Sequence, residues 1–184
     1  MTEIELSVPG IHHVNNALCA IAASREEGLS AEVIKKGLYD FRGAKRRFEF
    51  KGERDGIRIY DDYAHHPTEI RATLSALADF SGNKCILFQP HTYTRTLTLF
   101  DDFVDAFQGT ENVIITPIYA AREKDTGLIS SSDLAEKIVG AYSAKDFDDA
   151  KAEALSRLGK GDILITIGAG DIYKVGEEIL NGEG

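Results

Sequence analysis

Three short, nearly continuous apolar runs, KCILF at 84–88, NVIIT at 112–116 and DILITI at 162–167, set the strongest limit on how this chain folds. Each has the length of a strand, and helical stretches near 67–79, 96–108, 131–140, 147–158 and 171–181 fall between and around them. A strand with one polar side can face water, but a strand without one needs cover on both faces, which a parallel sheet flanked by helices provides. The expectation is therefore an α/β fold, a Rossmann-like sheet, mostly parallel, with helices on both faces, over residues 46–184. At its entrance Phe48 and Phe50 alternate with charged residues, Gly52 to Gly56 makes a turn, and Ile57, Ile59 and Tyr60 resume the extended pattern, which reads as a hairpin.

Residues 1–45 have a different period. Val14, Ala17, Leu18, Ile21 and Ala22 recur at helical spacing after Pro9-Gly10, and Gly28 closes that helix. Ser30 caps a second helix with Val33, Ile34 and Leu38 on one face, and Phe41-Arg42-Gly43 leads out of the pair. Two such helices bury too little apolar surface to fold alone, so they read as a short helical remnant, the tail of a domain that starts upstream. A length of 184 residues with 43% hydrophobic content suits one ordinary domain plus this piece.

Composition removes several classes of function. With 30 acidic against 21 basic residues and a net charge of -9, the chain lacks the clustered cations that a nucleic acid needs, so no such partner is expected. No stretch approaches the roughly 18 apolar residues of a membrane span, and MTEIELSVPG lacks the basic flank and apolar run of a signal peptide, which predicts a cytoplasmic location and no membrane partner. Cys19 and Cys85 each sit in an apolar run and read as buried thiols. Neither HExxH nor CxxC spacing occurs, so no metal site is expected.

In a parallel sheet, ligands meet the protein where strands end and loops lead into helices. Three polar clusters fall at such ends, DDYAHHPTE (61–69), QPHTYTRT (89–96) and GAGD (168–171), and are expected to face one crevice. Each also has a plainer reading. Asp61 suits a solvated strand end, and His66-Pro67-Thr68-Glu69 a helix start with the histidines at the surface. His91 and Arg95, set among hydroxyls, can hold a carboxylate through the planar guanidinium, yet the same residues suit a helix cap with a surface arginine. The amides of GAGD could face an anion, or its glycines could serve a tight turn; Tyr173 stands where a dinucleotide fingerprint needs its third glycine, which disfavours an NAD-dependent dehydrogenase. Arg46 and Arg47, at the joint between the helices and the sheet, could reach a phosphate or lie in solvent.

Taken in order, PGIHHVNNALCAIAA, GAKRRFEF, DDYAHHPTEI, FQPHTYTRT, IYAAREKD and IGAGDI resemble the carboxy-terminal portion of the Mur ligase superfamily, in the branch that joins L-alanine to UDP-N-acetylmuramate. The resemblance implies a three-domain enzyme in which residues 1–45 are the terminal helices of the central ATP-binding domain and 46–184 the domain that brings the amino acid. Its partners would be ATP, Mg2+, UDP-N-acetylmuramate and L-alanine. No GxxxxGK[ST] occurs here, so the phosphate cradle and the Mg2+ ligands would lie upstream, and this piece would be inactive alone and hold neither cofactor tightly. The implied reaction forms an acyl phosphate from the muramate carboxylate and ATP, which the alanine amine then attacks.

Carried over by position, Arg47 would reach the ATP phosphates, Asp62 the ribose hydroxyls and Asn16 the adenine side, while Tyr63, His65, His91 and Arg95 would border the alanine. Arg47 and His65 are the catalytic candidates, with either His65 or His91 open as the group that takes a proton. Two positions depart from the family pattern: His13 stands where an asparagine is usual, and Thr92 where many members carry arginine, which leaves Arg95 as the principal cation there. The alternative of a different class is a non-catalytic Rossmann-like module that binds a nucleotide or a partner.

Overall fold

The computed structural model describes residues 3–8, 10–41 and 43–182, without the side chain of His12. Pro9 and Arg42, at the edges of the expected helical pair, lie outside the described residues. The chain divides into two compact units, Met1–Ala44 and Lys45–Gly184.

In the first unit, α1 (Ile11–Glu26) follows Gly10, whose φ of 104° favours a residue without a side chain. The second helix, α2 (Ala31–Asp40), is capped by Ser30, whose hydroxyl accepts from the Val33 amide at 3.4 Å. The buried side of α1 is the one that carries His13 and Ala17, and His13 meets the Phe41 ring edge-on at 6.3 Å. Ile11, Val14 and Leu18 remain 75%, 43% and 60% exposed, and Cys19 is exposed with them. This corrects the expectation of a buried thiol at 19: apolar spacing buries a residue only where a partner surface exists, and no described residue of this unit covers that side of α1.

The second unit is a six-stranded sheet in the order β1-β2-β6-β3-β4-β5. Its strands are β1 (Glu49–Arg54), β2 (Ile57–Asp62), β3 (Lys84–Phe88), β4 (Val113–Ile115), β5 (Tyr142–Ser143) and β6 (Ile163–Ile167). Only β1 runs antiparallel, as the edge partner of β2; the other pairings are parallel. The helices are α3 (Pro67–Leu77), α4 (Tyr93–Thr98), α5 (Phe100–Ala106), α6 (Ser131–Lys137), α7 (Phe147–Arg157) and α8 (Tyr173–Asn181). This is the Rossmann-like, mostly parallel architecture that the apolar runs predict.

Alternation along the strands fills two layers. Tyr60, Ile86, Phe88, Ile163, Ile165 and Ile167 join Ile70, Phe103, Phe107 and Leu134 on one face, while Ile59, Cys85, Leu87 and Leu164 join Ala150, Ala154, Val175 and Ile179 on the other. Burial among these apolar groups suppresses ionisation of the Cys85 thiol and pushes its pKa up to about 12.

Local details differ from the sequence expectations for identifiable reasons. The hairpin reverses at Asp55-Gly56, both with positive φ, and Gly52 lies inside β1 at an irregularity of register next to Phe50. Phe48 and Phe50 both pack on the Tyr60 ring, at 5.2 and 5.3 Å, but Phe48, with a left-handed φ of 50°, is buried there and against Phe80, whereas Phe50 is 55% exposed. The helix expected at 96–108 starts earlier, because Thr92 caps the chain by accepting from the Arg95 amide, and is two helices that meet at Leu99. The two-residue β5 carries no apolar run by which to see it.

The register decides where ligands can go. Asp62 pairs with Ile167, Ile167 with Phe88, and Phe88 with Ile115, so four parallel strands end at one level and their loops leave side by side. Because Phe103 is fully buried against Phe88, Phe103→Ala should cost about 3–5 kcal/mol in a urea titration of this chain, while Phe50→Ala should cost under about 1 kcal/mol. Equal losses would contradict this placement of the core.

Candidate functional site

The loop after β2 turns because of Asp62. Its Oδ1 accepts from the Ala64 amide at 2.9 Å, and its Oδ2 accepts from the Thr73 hydroxyl at 2.9 Å on α3. Burial raises its pKa first, against the two hydrogen bonds and the Arg47 charge, which act the other way. At 7% exposure the carboxylate chiefly fixes this loop, and a ribose hydroxyl would have to share an oxygen that is already bonded.

Glu69 organises the next residues. Its Oε2 accepts from the amides of His65 at 3.0 Å and His66 at 3.2 Å, while His66 Nδ1 accepts from the Thr68 amide at 3.3 Å. With Pro67 in the first turn this is a capping box, so His66 is the helix start that its plainer reading describes. Burial acts upward on the Glu69 pKa, yet the two amide bonds and the neighbouring His65 and Arg47 hold it below its ordinary value. Each neighbour of His65 Nδ1 is an acceptor, the Tyr63 carbonyl at 3.1 Å and Glu69 Oε2 at 3.5 Å. Nδ1 therefore carries a hydrogen, and in the neutral ring Nε2 holds the lone pair.

The exits of β3 and β4 face this loop. The His91 ring centroid lies 6.0 Å from that of His65 and 5.5 Å from the Tyr119 ring, on which it stacks, and Tyr63 meets His65 edge-on at 5.5 Å. The main chain holds the pair: the Thr92 amide donates to the Tyr119 carbonyl and the Tyr119 amide to the Pro90 carbonyl, each at 2.8 Å. Arg95, one turn into α4, donates from Nη1 to His91 Nδ1 at 3.2 Å and more weakly to the His91 carbonyl. Guanidinium groups only donate, so His91 Nδ1 accepts here and Nε2 bears the hydrogen. Burial, then the charges of Arg95 and His65, lower the His91 pKa below its usual value, so the ring is neutral at pH 7.

At the exit of β6 the tight-turn reading of GAGD holds. A Cβ on Gly170 would lie 2.2 Å from Gln89 Oε1 and 2.7 Å from Tyr119 Cγ. The amides of Asp171 and Ile172 both donate to Gln89 Oε1, at 3.0 and 3.2 Å, and Gln89 Nε2 donates to Asp171 Oδ1. These amides thus serve a buried glutamine and not an anion.

Two sequence readings are corrected. Asp61 is no solvated strand end: it is 1% exposed, bonded to Thr166 Oγ1 at 2.6 Å and ion-paired with Arg46 Nε at 2.8 Å. Arg46 does not lie in solvent either, since it also donates to the carbonyls of Gly168 at 2.7 Å and Gly170 at 3.2 Å. Solvent was its plain expectation because a lone arginine at a joint carries no sign of a buried partner.

The strand exits bring Tyr63, His65, His91 and Arg95 together. Arg47 stands beside them, with a side chain 53% exposed and Nη1 3.9 Å from Glu69 Oε1. Asn16 lies exposed on α1, in the other unit. Tyr119, within IYAAREKD, is a site residue that the three-cluster reading missed, although the same strand-end rule applied to β4 finds it.

Residues 46–170 match the family described as Mur ligase, glutamate ligase domain. The UDP-N-acetylmuramate--L-alanine ligase of Clostridium acetobutylicum is 50% identical over 184 residues, covering 97% of this chain and 40% of that protein. Its namesake in Acetivibrio thermocellus is 52% identical over 187 residues, 98% of this chain and 39% of that one. The crystal structure of UDP-N-acetylmuramate-alanine ligase MurC from Thermotoga maritima gives a TM-score of 0.81 at 26% identity, over 99% of this chain and 40% of that chain. The folylpolyglutamate synthase of Mycobacterium tuberculosis, solved with ADP and AMPPCP, covers all of this chain and 43% of its own at a TM-score of 0.72, and at 19% identity shares the fold alone. This chain thus spans about 40% of the length of its curated relatives, and the match across most of its sheet makes it a member of the Mur ligase family.

Proposed function

We propose that this chain is the carboxy-terminal part of an ATP-dependent ligase that joins L-alanine to UDP-N-acetylmuramate, and that the strand-exit cluster receives the amino acid. The observation that carries this reading is Arg95. Its guanidinium is half-buried in the crevice, bonded to a neutral imidazole, and forms no ion pair with a carboxylate among the described residues. Such a group favours an incoming carboxylate, which it can bind with two parallel hydrogen bonds.

Alanine must lose an ammonium proton before its nitrogen can attack an acyl carbon. His65 is the better acceptor, because its Nδ1–H is directed to the Tyr63 carbonyl and the Nε2 lone pair remains. The lone pair of His91 is engaged by Arg95 until that guanidinium turns to the substrate carboxylate. Arg47 supplies a fixed positive charge for a phosphoryl group that gains negative charge as it transfers.

ATP fits this chain in part. Arg47 suits its phosphates, whereas Asp62 and the amides of Gly168 and Asp171 already serve the protein. Mg2+ does not fit: among the described residues no three His, Cys, Asp or Glu side chains gather to hold a metal.

Three outcomes follow. This chain, supplied with ATP, UDP-N-acetylmuramate and L-alanine, should release no phosphate, while the full-length ligase should; turnover by the short chain would sink the proposal, and submicromolar nucleotide binding by it would favour the non-catalytic module. In the full-length ligase, Arg95→Ala should raise the KM for alanine about tenfold or more, since a charged hydrogen bond contributes about 1.5–3 kcal/mol; an unchanged KM would remove Arg95 from the site. An NMR titration of this chain should place the His91 midpoint below its ordinary value of about 6.5 and move it upward in Arg95→Ala, because one of the cations that oppose protonation is gone. A midpoint that stays or falls would contradict the pairing.

A further inference from the structure

Arg46 and Arg47 are adjacent in sequence and opposite in circumstance. The Arg46 guanidinium donates to three acceptors, Asp61 Oδ2 at 2.8 Å and the carbonyls of Gly168 at 2.7 Å and Gly170 at 3.2 Å. It also lies over two aromatic rings, Tyr63 at 4.9 Å and Tyr173 at 4.7 Å. Its main chain is held as well: the amide donates to Glu49 Oε2 at 2.8 Å, and the carbonyl accepts from the Tyr63 amide at 2.7 Å. One residue thereby joins β2, the loop after it, the turn after β6 and the first residue of α8.

Two residues on, Phe48 is anchored in the core against Tyr60 at 5.2 Å and Phe80 at 5.7 Å. Arg46 and Phe48 both have left-handed backbones, with φ of 57° and 50°. L-residues adopt that conformation in numbers only where the surroundings over-determine it. With a neighbour locked inward on each side, Arg47 is left to project outward, and its side chain is 53% exposed beside Glu69.

We infer that Arg46 is a positioning residue: its locked guanidinium sets the left-handed turn that aims Arg47 at the transferring phosphoryl group. This rests on the phosphate role given to Arg47 above. A lysine at 46 keeps the charge opposite Asp61 but cannot bond three acceptors in one plane or stack on two rings. The aim of Arg47 should therefore loosen while the domain stays folded.

A double-mutant cycle in the full-length ligase tests this, with kcat for phosphate release and the KM values for ATP and alanine as readouts and thermal unfolding as the control for folding. Arg47→Ala should lower kcat about a hundredfold, and Arg46→Lys about tenfold with the alanine KM within about twofold. In the Arg47→Ala background Arg46→Lys should cost no further kcat, since a group that acts by aiming has nothing left to aim. Multiplying losses would overturn the inference while leaving the role of Arg47 intact. No loss from Arg47→Ala would remove that role and the inference with it. If Arg46→Lys does not accumulate as folded protein, Tyr173→Leu takes its place in the cycle, because it removes one of the two rings and leaves every Arg46 hydrogen bond in place; the same outcomes then apply.

Discussion

The ladder that levels Asp62, Ile167, Phe88 and Ile115 across four parallel strands is the constraint on which everything else in the sheet unit rests. Since those strands stop together, segments separated by tens of residues leave the sheet as neighbours. A slip of one residue in any of them would turn every side chain of that strand to the other layer, exchanging, for example, Cys85 and Leu87 with Ile86 and Phe88. Close packing in both layers forbids this, so the core fixes the site before any polar contact is made.

On that rim the polar groups divide into those that bind one another and those left for something else. Asp61, Asp62, Gln89 and Arg46 are buried or half-buried and bonded within the protein. A buried polar group without a partner costs about 1–3 kcal/mol, so these bonds are what make a polar rim compatible with a stable fold. Arg95, by contrast, leans on an imidazole, and among the described residues Arg47 has only a distant carboxylate. A shell in which the supports are satisfied internally and the outermost cations are not is what the proposed amino-acid site requires.

Much of the fold was legible because the strands announce themselves as apolar runs without a polar side and the helices begin at Ser130, Asp146 and His66, residues suited to capping. The convergence of Tyr63, His65, His91 and Arg95 was legible too, since strand ends in a parallel sheet share a side. What could not be read were partnerships across long separations. Nothing near Arg46 in sequence shows that carbonyls 122 and 124 residues away will take its hydrogens. Nor does GAGD show that a glutamine 82 residues earlier will take the amide of Asp171. Cys19 misled for the converse reason: helical spacing states which side of α1 is apolar, and not whether this stretch of chain supplies the cover.

The two cysteines have a practical corollary. Cys85 is sealed in the sheet with its acidity suppressed, so almost no thiolate exists there at neutral pH, and thiol-directed reagents act through the thiolate. Cys19 is the sulfur that such reagents can reach in this chain. A fluorophore or spin label would accordingly attach at one known point on the helical unit, with the sheet unmarked and no substitution made.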